Sequence, residues 1–155
     1  MPKPPVTDEE KYMRAALAEA RKAAEACDVP VGAVLVREGR IIARGRNRRE
    51  EKRDSTAHAE IEALRKASKK LGGWYLHGCT LYVTLEPCPM CAGAAMQARI
   101  DSIIFGAYDP KAGCCGSLLN LPEDARFPHR PAVRGGVLEK ECAGILKAFF
   151  REKRG

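Results

Sequence analysis

Apolar residues recur through Met13, Ala16, Leu17, Ala20, Ala24 and Cys27, a helical period that predicts an amphipathic helix from about Asp8 to Cys27. Thr7, with Glu10 three residues on, supplies a capping box at its start, and Pro30 ends any continuation. The pattern then changes. Val31 to Val36 and Ile41 to Arg46 are short strand-like runs separated by Glu38-Gly39-Arg40, which predicts an antiparallel hairpin. Thr56 is the expected N-cap of a second long helix through Ile61, Leu64 and Leu71, stopped by Gly72-Gly73.

Thr80 to Leu85 reads as strand, Cys88 to about Ala98 as helix and Ser102 to Ala107 as strand again, followed by a long loop from Asp109 to about Arg130. A short apolar segment near Val133 is a candidate last strand. Leu138, Cys142, Ile145, Leu146 and Phe149 define a C-terminal helix. This order of elements predicts an α/β fold in which a mixed sheet lies between helices on its two faces. A chain of 155 residues fits one domain, 1–155.

Two segments carry chemistry: His58-Ala59-Glu60 and Pro87-Cys88-Pro89-Met90-Cys91. One imidazole and two thiolates, His58, Cys88 and Cys91, are three ligands for Zn²⁺, and three protein ligands leave the fourth tetrahedral position for water. A water on Zn²⁺ has its pKa lowered from about 15.7 toward 7, and Glu60 stands close enough in sequence to move its proton. Cys88 and Cys91 alone would equally suit a structural zinc or a redox pair. A structural site needs a fourth protein ligand, and no second C-x-x-C or paired histidine motif is present.

In mid-helix, His58 and Glu60 would point to different faces, so the metal is expected off the helix N-terminus. The helix starting near Cys88 would present its own N-terminus to the same point, each dipole stabilising an anion there by about 0.3–1 kcal/mol. Pro89 just inside that helix lacks only an N–H that would be orphaned anyway. His-x-Glu followed by Pro-Cys-x-x-Cys is the signature of the zinc nucleobase deaminases.

Net charge is +7. Arg37, Arg40, Arg44, Arg46, Arg48, Arg49, Lys52 and Arg53 face only Glu38, Glu50 and Glu51 in their own stretch, and Lys147, Arg151, Lys153 and Arg154 close the chain. A charge run is often only a solvated face, but two of them beside a base-modifying motif point to a nucleic acid partner. Arg151, Lys153 and Arg154 are candidate contacts to an RNA backbone.

The seven cysteines are an odd number, Met1 to Thr7 lacks the apolar stretch of a signal peptide, and no apolar run is long enough for a membrane. The expected setting is cytoplasmic, with no membrane partner. Cys27, Cys79 and Cys142 read as small buried hydrophobes. Cys114-Cys115 has no further ligand nearby and is assigned no function.

Beyond the metal residues, Val29-Pro30-Val31-Gly32-Ala33-Val34, Asn47, Thr56 to Ile61, Leu81 to Ala94 and Phe105 to Gly113 resemble the bacterial tRNA-specific adenosine deaminases, within the zinc-dependent cytidine/deoxycytidylate deaminase superfamily. The resemblance extends to Cys142 and Phe149-Phe150. It implies the three-layer α/β/α cytidine-deaminase-like fold with a five-stranded sheet, a homodimer, and one Zn²⁺ per subunit. The implied reaction is hydrolytic deamination of adenosine to inosine at the wobble position of the anticodon of an arginine tRNA. By resemblance, His58, Cys88 and Cys91 bind zinc, Glu60 shuttles protons during attack of zinc-activated hydroxide on C6, and Asn47 with the Val31-Gly32 backbone borders the base pocket. Cys114-Cys115 and Pro110 depart from the family pattern.

Asp109 follows a strand expected to end near the zinc. A carboxylate there suits a ribose 2′-OH, a donor that DNA lacks; the alternative is a turn-forming aspartate before Pro110. Two rival functions share parts of the pattern. A free-base or nucleotide deaminase acting on guanine, cytidine or deoxycytidylate needs the zinc motif but no basic surface. A noncatalytic zinc-stabilised RNA-binding subunit needs the basic surface but not Glu60. Within the helix after Cys88, Ala92 to Ala95 are small enough to admit a second copy or to pack tightly on the chain's own sheet.

Overall fold

The computed structural model describes residues 7–154, the side chain of Arg154 excepted. Helix α1 (Asp8–Glu25) starts where Thr7 Oγ1 accepts the Glu10 N–H at 3.2 Å, with Asp8, Glu9 and Glu10 complementing the positive helix end. It stops two residues before the predicted end. Cys27 has a left-handed backbone, φ 63°, and is exposed, so its expected burial is corrected. The Ala26 and Cys27 amides close the helix on the Ala23 and Ala24 carbonyls, which takes Cys27 off the apolar stripe. Cys79 and Cys142 are buried as expected.

Strands β1 (Gly32–Arg37) and β2 (Arg40–Arg46) form the hairpin. Its two-residue turn, Glu38-Gly39, has φ of 51° and 73°, the sign a tight antiparallel hairpin needs at both positions. β1 pairs antiparallel with β3 (Cys79–Leu85), β3 pairs parallel with β4 (Ser102–Ala107), and β4 pairs parallel with β5 (Ala132–Arg134). The sheet order is β2-β1-β3-β4-β5. A mixed five-stranded sheet is thus observed. Between its parallel central strands runs α4 (Pro89–Gln97), the crossover that parallel neighbours require.

The period-two alternation of the strands divides the core between two faces. Ala33, Leu35, Leu81, Val83, Ile103 and Phe105 point to one face, with Ala63 and Leu64 of α3 (Ala59–Leu71) and Ala92 and Ala95 of α4. Val34, Val36 and Tyr82 point to the other, against Tyr12, Met13 and Leu17 of α1 and Cys142 of α5 (Glu139–Arg154). Each large side chain so buried contributes about 1.5–3 kcal/mol.

The N-cap of α3 is His58, not Thr56. The Thr56 N–H and hydroxyl both donate to Asp54 Oδ1, at 2.8 and 2.7 Å, a local turn that competes with capping. Gly72, with φ 79°, ends α3 where expected. The periodicity did not reveal the short helix α2 (Arg49–Lys52) or the 3₁₀ turn Leu121–Glu123, each too brief to repeat a pattern.

Two glycines set the depth of the layers. A Cβ at Gly32 would overlap the Ala16 carbonyl of α1, and one at Gly45 would overlap the Ala59 carbonyl of α3. Gly32 lies opposite Arg46 and Gly45 opposite Ala33, so the two close approaches are on opposite sides of the sheet. Because backbone stands in the way, Gly45→Ala should destabilise the fold by about 1–3 kcal/mol or more. A urea unfolding midpoint equal to that of the parent chain would contradict this.

Candidate active site

Helices α3 and α4 lie on the same face of the sheet, and their N-terminal ends converge. His58 and Cys88 are the respective N-caps, and Cys91 lies in the first turn of α4. An N-cap ordinarily turns its side chain onto its own helix; neither His58 nor Cys88 does, and both point at the neighbouring helix instead. His58 Nδ1 is 3.6 Å from Cys88 Sγ and 3.5 Å from Cys91 Sγ. The three ligand atoms lie within 4.8 Å of one another.

A tetrahedral Zn²⁺ with Zn–N of about 2.05 Å and Zn–S of about 2.3 Å holds nitrogen and sulfur about 3.6 Å apart. The donor set therefore fits Zn²⁺ in type, number and spacing. Cys91 shares its proton with Cys88, which with the nearby imidazole lowers the Cys88 thiol to about 4, while Cys91 is pushed up by that same sharing and by burial. Hydrogen bonding to Cys88 raises His58. A coordinated dication removes the thiol protons outright.

Glu60 is the second residue of α3 and is buried. Burial pushes its carboxyl up to about 7, against the opposing pull of His58. It lines, with His58 and Cys88, a cavity of about 470 Å³, within the range of about 300–1,000 Å³ usual for small ligands.

Three walls rise from that floor. Val29, Val31, Asn47 and Arg49 come from the segments flanking the hairpin. The Asn47 amide donates to the Val29 carbonyl at 3.1 Å, and its Oδ1 accepts from the Arg49 N–H at 3.4 Å. Buried Asp28 holds α2 in place, accepting from the Glu50 and Glu51 amides at 2.9 and 3.3 Å. The second wall is Tyr108, Asp109, Lys111 and Ala112 after β4, and the third is Leu146 and Phe150 of α5.

Of the residues expected at the base pocket, Val31, Asn47 and Asp109 border the cavity. Gly32 is not among the lining residues: its N–H donates to Thr84 Oγ1 at 3.1 Å and its Cα faces α1, which corrects its expected position. Asp109 Oδ1 accepts from the Lys111 and Ala112 amides at 3.0 and 3.2 Å, so it does form the turn.

Arg151 and Lys153 are exposed on α5 outside the lining, and Lys153 Nζ sits 5.1 Å from the Phe149 ring centre. The side chain of Arg154 lies outside the described residues. In the first basic run, Arg46 and Arg48 pair with Glu51, and Lys52 pairs with buried Glu62 at 2.8 Å. Three of the eight basic residues of that run are thus paired.

Glu86, unassigned from sequence, is 2 % exposed. Burial raises its carboxyl, but hydrogen bonds from Ser117, Asp109 and Cys115 outweigh this and lower it. An acidic residue directly after a largely apolar strand was the available signal. Leu146 and Phe150 gave none, since their helical period is equally that of a core-facing helix.

The chain belongs to the MafB19-like deaminase family, whose model matches residues 7–154. It is 56% identical over 149 residues to the tRNA-specific adenosine deaminase of Bacillus subtilis, covering 96% of this chain and 92% of that protein. A solved structure from work on A-to-I editing by tRNA:A34 deaminases at the wobble position of transfer RNA superimposes with TM-score 0.85 at 49% identity, over 88% of this chain and 99% of its own. A guanine deaminase from Nitrosomonas europaea superimposes with TM-score 0.78 at 27% identity, over 96% and 87%. The family, the α/β fold and deaminase activity follow from these likenesses.

Cys91→Ala should lose the metal and, with it, stability, because binding free energy at such a site is also folding free energy. Metal content and thermal unfolding measured together check this, and a chelator added to the parent chain should reproduce both changes.

Proposed function

We propose that this chain deaminates adenosine at the wobble position of a tRNA anticodon, leaving inosine in the RNA and releasing ammonia, with one Zn²⁺ held by His58, Cys88 and Cys91. The observation that carries it is the buried carboxylate of Glu60 beside three converging ligands at the floor of an open cavity. The zinc, when bound, supplies a Lewis acid that makes water nucleophilic near neutral pH.

The chain's own residues do the rest. The target base leaves its stack, at less expense in an anticodon loop than in a duplex. Val31, Asn47 and Asp109 border the space it enters. Glu60 takes one proton of the water that attacks C6 and passes it to the ring nitrogen, then takes the remaining proton from the new C6 hydroxyl and passes it to the amine, which leaves as ammonia as the C6 carbonyl forms. Arg49 and Lys111 at the mouth present cations to the phosphates, and Phe150 offers a face on which a flanking base can stack. Gly32 acts indirectly, by letting β1 approach α1 and so setting the height of Val31.

A guanine deaminase is the second reading, since that activity occurs on the same fold. The basic mouth and the exposed Phe150, 44 % accessible, favour a polynucleotide. We further infer a homodimer, supported by an apolar groove between α3 and α4 lined by Ile61, Leu64, Trp74 and Ala94, with open space beside Gly93. Sedimentation of the purified chain tests it. We also infer a cytoplasmic setting for a one-domain enzyme, supported by the likeness to tRNA-modifying enzymes; among the described residues no helix is long and apolar enough to cross a membrane.

Incubation with a synthetic anticodon stem-loop, and separately with guanine and cytidine, should yield inosine and neither xanthine nor uridine. Glu60→Ala should keep metal and RNA binding but lose about 10²–10⁴ in turnover; near-normal single-turnover rates would remove Glu60 from its role. Neutralising Arg151, Lys153 and Arg154 together should flatten the log–log salt dependence of binding by about 0.7 per lost phosphate contact. An unchanged slope would make the cluster a solvated helix end.

A further inference from the structure

Glu86 directly follows β3, two residues before the ligand Cys88, and lines the same cavity, and its carboxylate is held by the loop after β4. Oε1 accepts from the Asp109 N–H at 3.0 Å and from the Ser117 hydroxyl; Oε2 accepts from the Cys115 and Ser117 amides at 3.1 and 2.9 Å. The next carbonyl, of Pro87, accepts the Cys114 N–H at 2.8 Å. Residues 109–117 are thereby wound around one buried anion. Gly113 closes the winding: a Cβ there would overlap all three carboxylate atoms of Glu86.

The wound segment is the second wall of the cavity, since it carries Asp109, Lys111 and Ala112. Its own hydrogen bonds, Lys111 and Ala112 to Asp109 Oδ1 and Gly113 to the Asp109 carbonyl, give the turn a shape but no position relative to the metal ligands. That position comes through four hydrogen bonds to Glu86 and one to the adjoining Pro87 carbonyl. Short covalent linkage to Cys88 on one side, and four hydrogen bonds to the loop on the other, tie the wall to the reacting centre.

We propose that Glu86 is a positioning residue for deamination, fixing the wall that holds the flipped nucleotide at its working distance from the metal centre. The proposal rests on the adenosine reading above. A small misplacement of a bound substrate costs up to about 10²-fold in rate. Replacement of the carboxylate by an amide leaves the volume unchanged but presents N–H₂ where at least one backbone N–H needs an acceptor.

In Glu86→Gln, metal content should equal that of the parent, amide exchange at Cys115 and Ser117 should accelerate at least ~10-fold, and kcat/KM on an anticodon stem-loop should fall about 10–100-fold, mainly in kcat. Rates are taken per metal-loaded chain, so a merely structural role would lower the unfolding midpoint and leave kcat unchanged, which overturns the proposal. Unchanged loop exchange overturns it too. Should Glu86→Gln fail to fold, Ser117→Ala removes one donor only and should shift exchange and kcat in the same direction, to a smaller extent.

Gly113→Ala supplies the independent arm. In the parent it should displace the same wall; combined with Glu86→Ala it should add little, because the methyl group then has room. Additive losses would overturn the assignment. A parent chain that leaves the stem-loop unmodified refutes the adenosine reading instead, and loop exchange with the Gly113–Glu86 coupling, read by unfolding, then decides this proposal alone.

Discussion

Two helix N-termini of like partial charge meet at the end of the central strands, and the rest of the structure depends on making that encounter favourable. Alone, the two positive ends repel. Here the caps are a histidine and a cysteine whose side chains cross to the neighbouring helix, with a second cysteine in the first turn of α4. Thiolate charge placed between the two ends converts repulsion into attraction for both. The apolar faces of α3 and α4 on the sheet then hold the ends at the spacing a small cation needs.

Around this centre the pocket walls are irregular chain, and buried carboxylates hold two of them. Asp28, just past α1, grips the amides that begin α2, and Glu86, at the end of β3, grips the loop after β4. Each anion replaces several scattered backbone bonds by one hub that is anchored to a regular element. A buried acid is tolerated here because it faces amides on several sides, which offsets the loss of water.

The centre was legible from sequence because its parts are local: His58 and Glu60 are two apart, and Cys88 and Cys91 three. Four strands and the four long helices were legible from the pattern of apolar residues, off by no more than two residues where bounds were read, and the fifth strand only as a short apolar segment near Val133. What stayed hidden depends on contacts distant in sequence. Thr56 looks like a cap until Asp54 claims its hydroxyl, and Gly32 looks like a pocket glycine until α1 is seen against it. Phe150 and Leu146 reach the cavity only because α5 folds back beside β4. Arginines that looked free in the hairpin region proved partly paired, with Glu62 arriving from another helix to take Lys52.

The hairpin arginines also bear on how the molecule behaves in a crowd. β2 is an outer strand, and its outward row of backbone donors and acceptors could accept a strand from another chain. Arg40 and Arg44 are exposed along it, and Lys66 reaches from α3 to occupy the Arg44 carbonyl at 2.9 Å. At the opposite border β5 has only three residues, too few to template a long ladder. Two copies approaching border to border would bring guanidinium rows together, so the positive surface that favours a polyanion also guards the sheet against aggregation, whether or not any RNA is present.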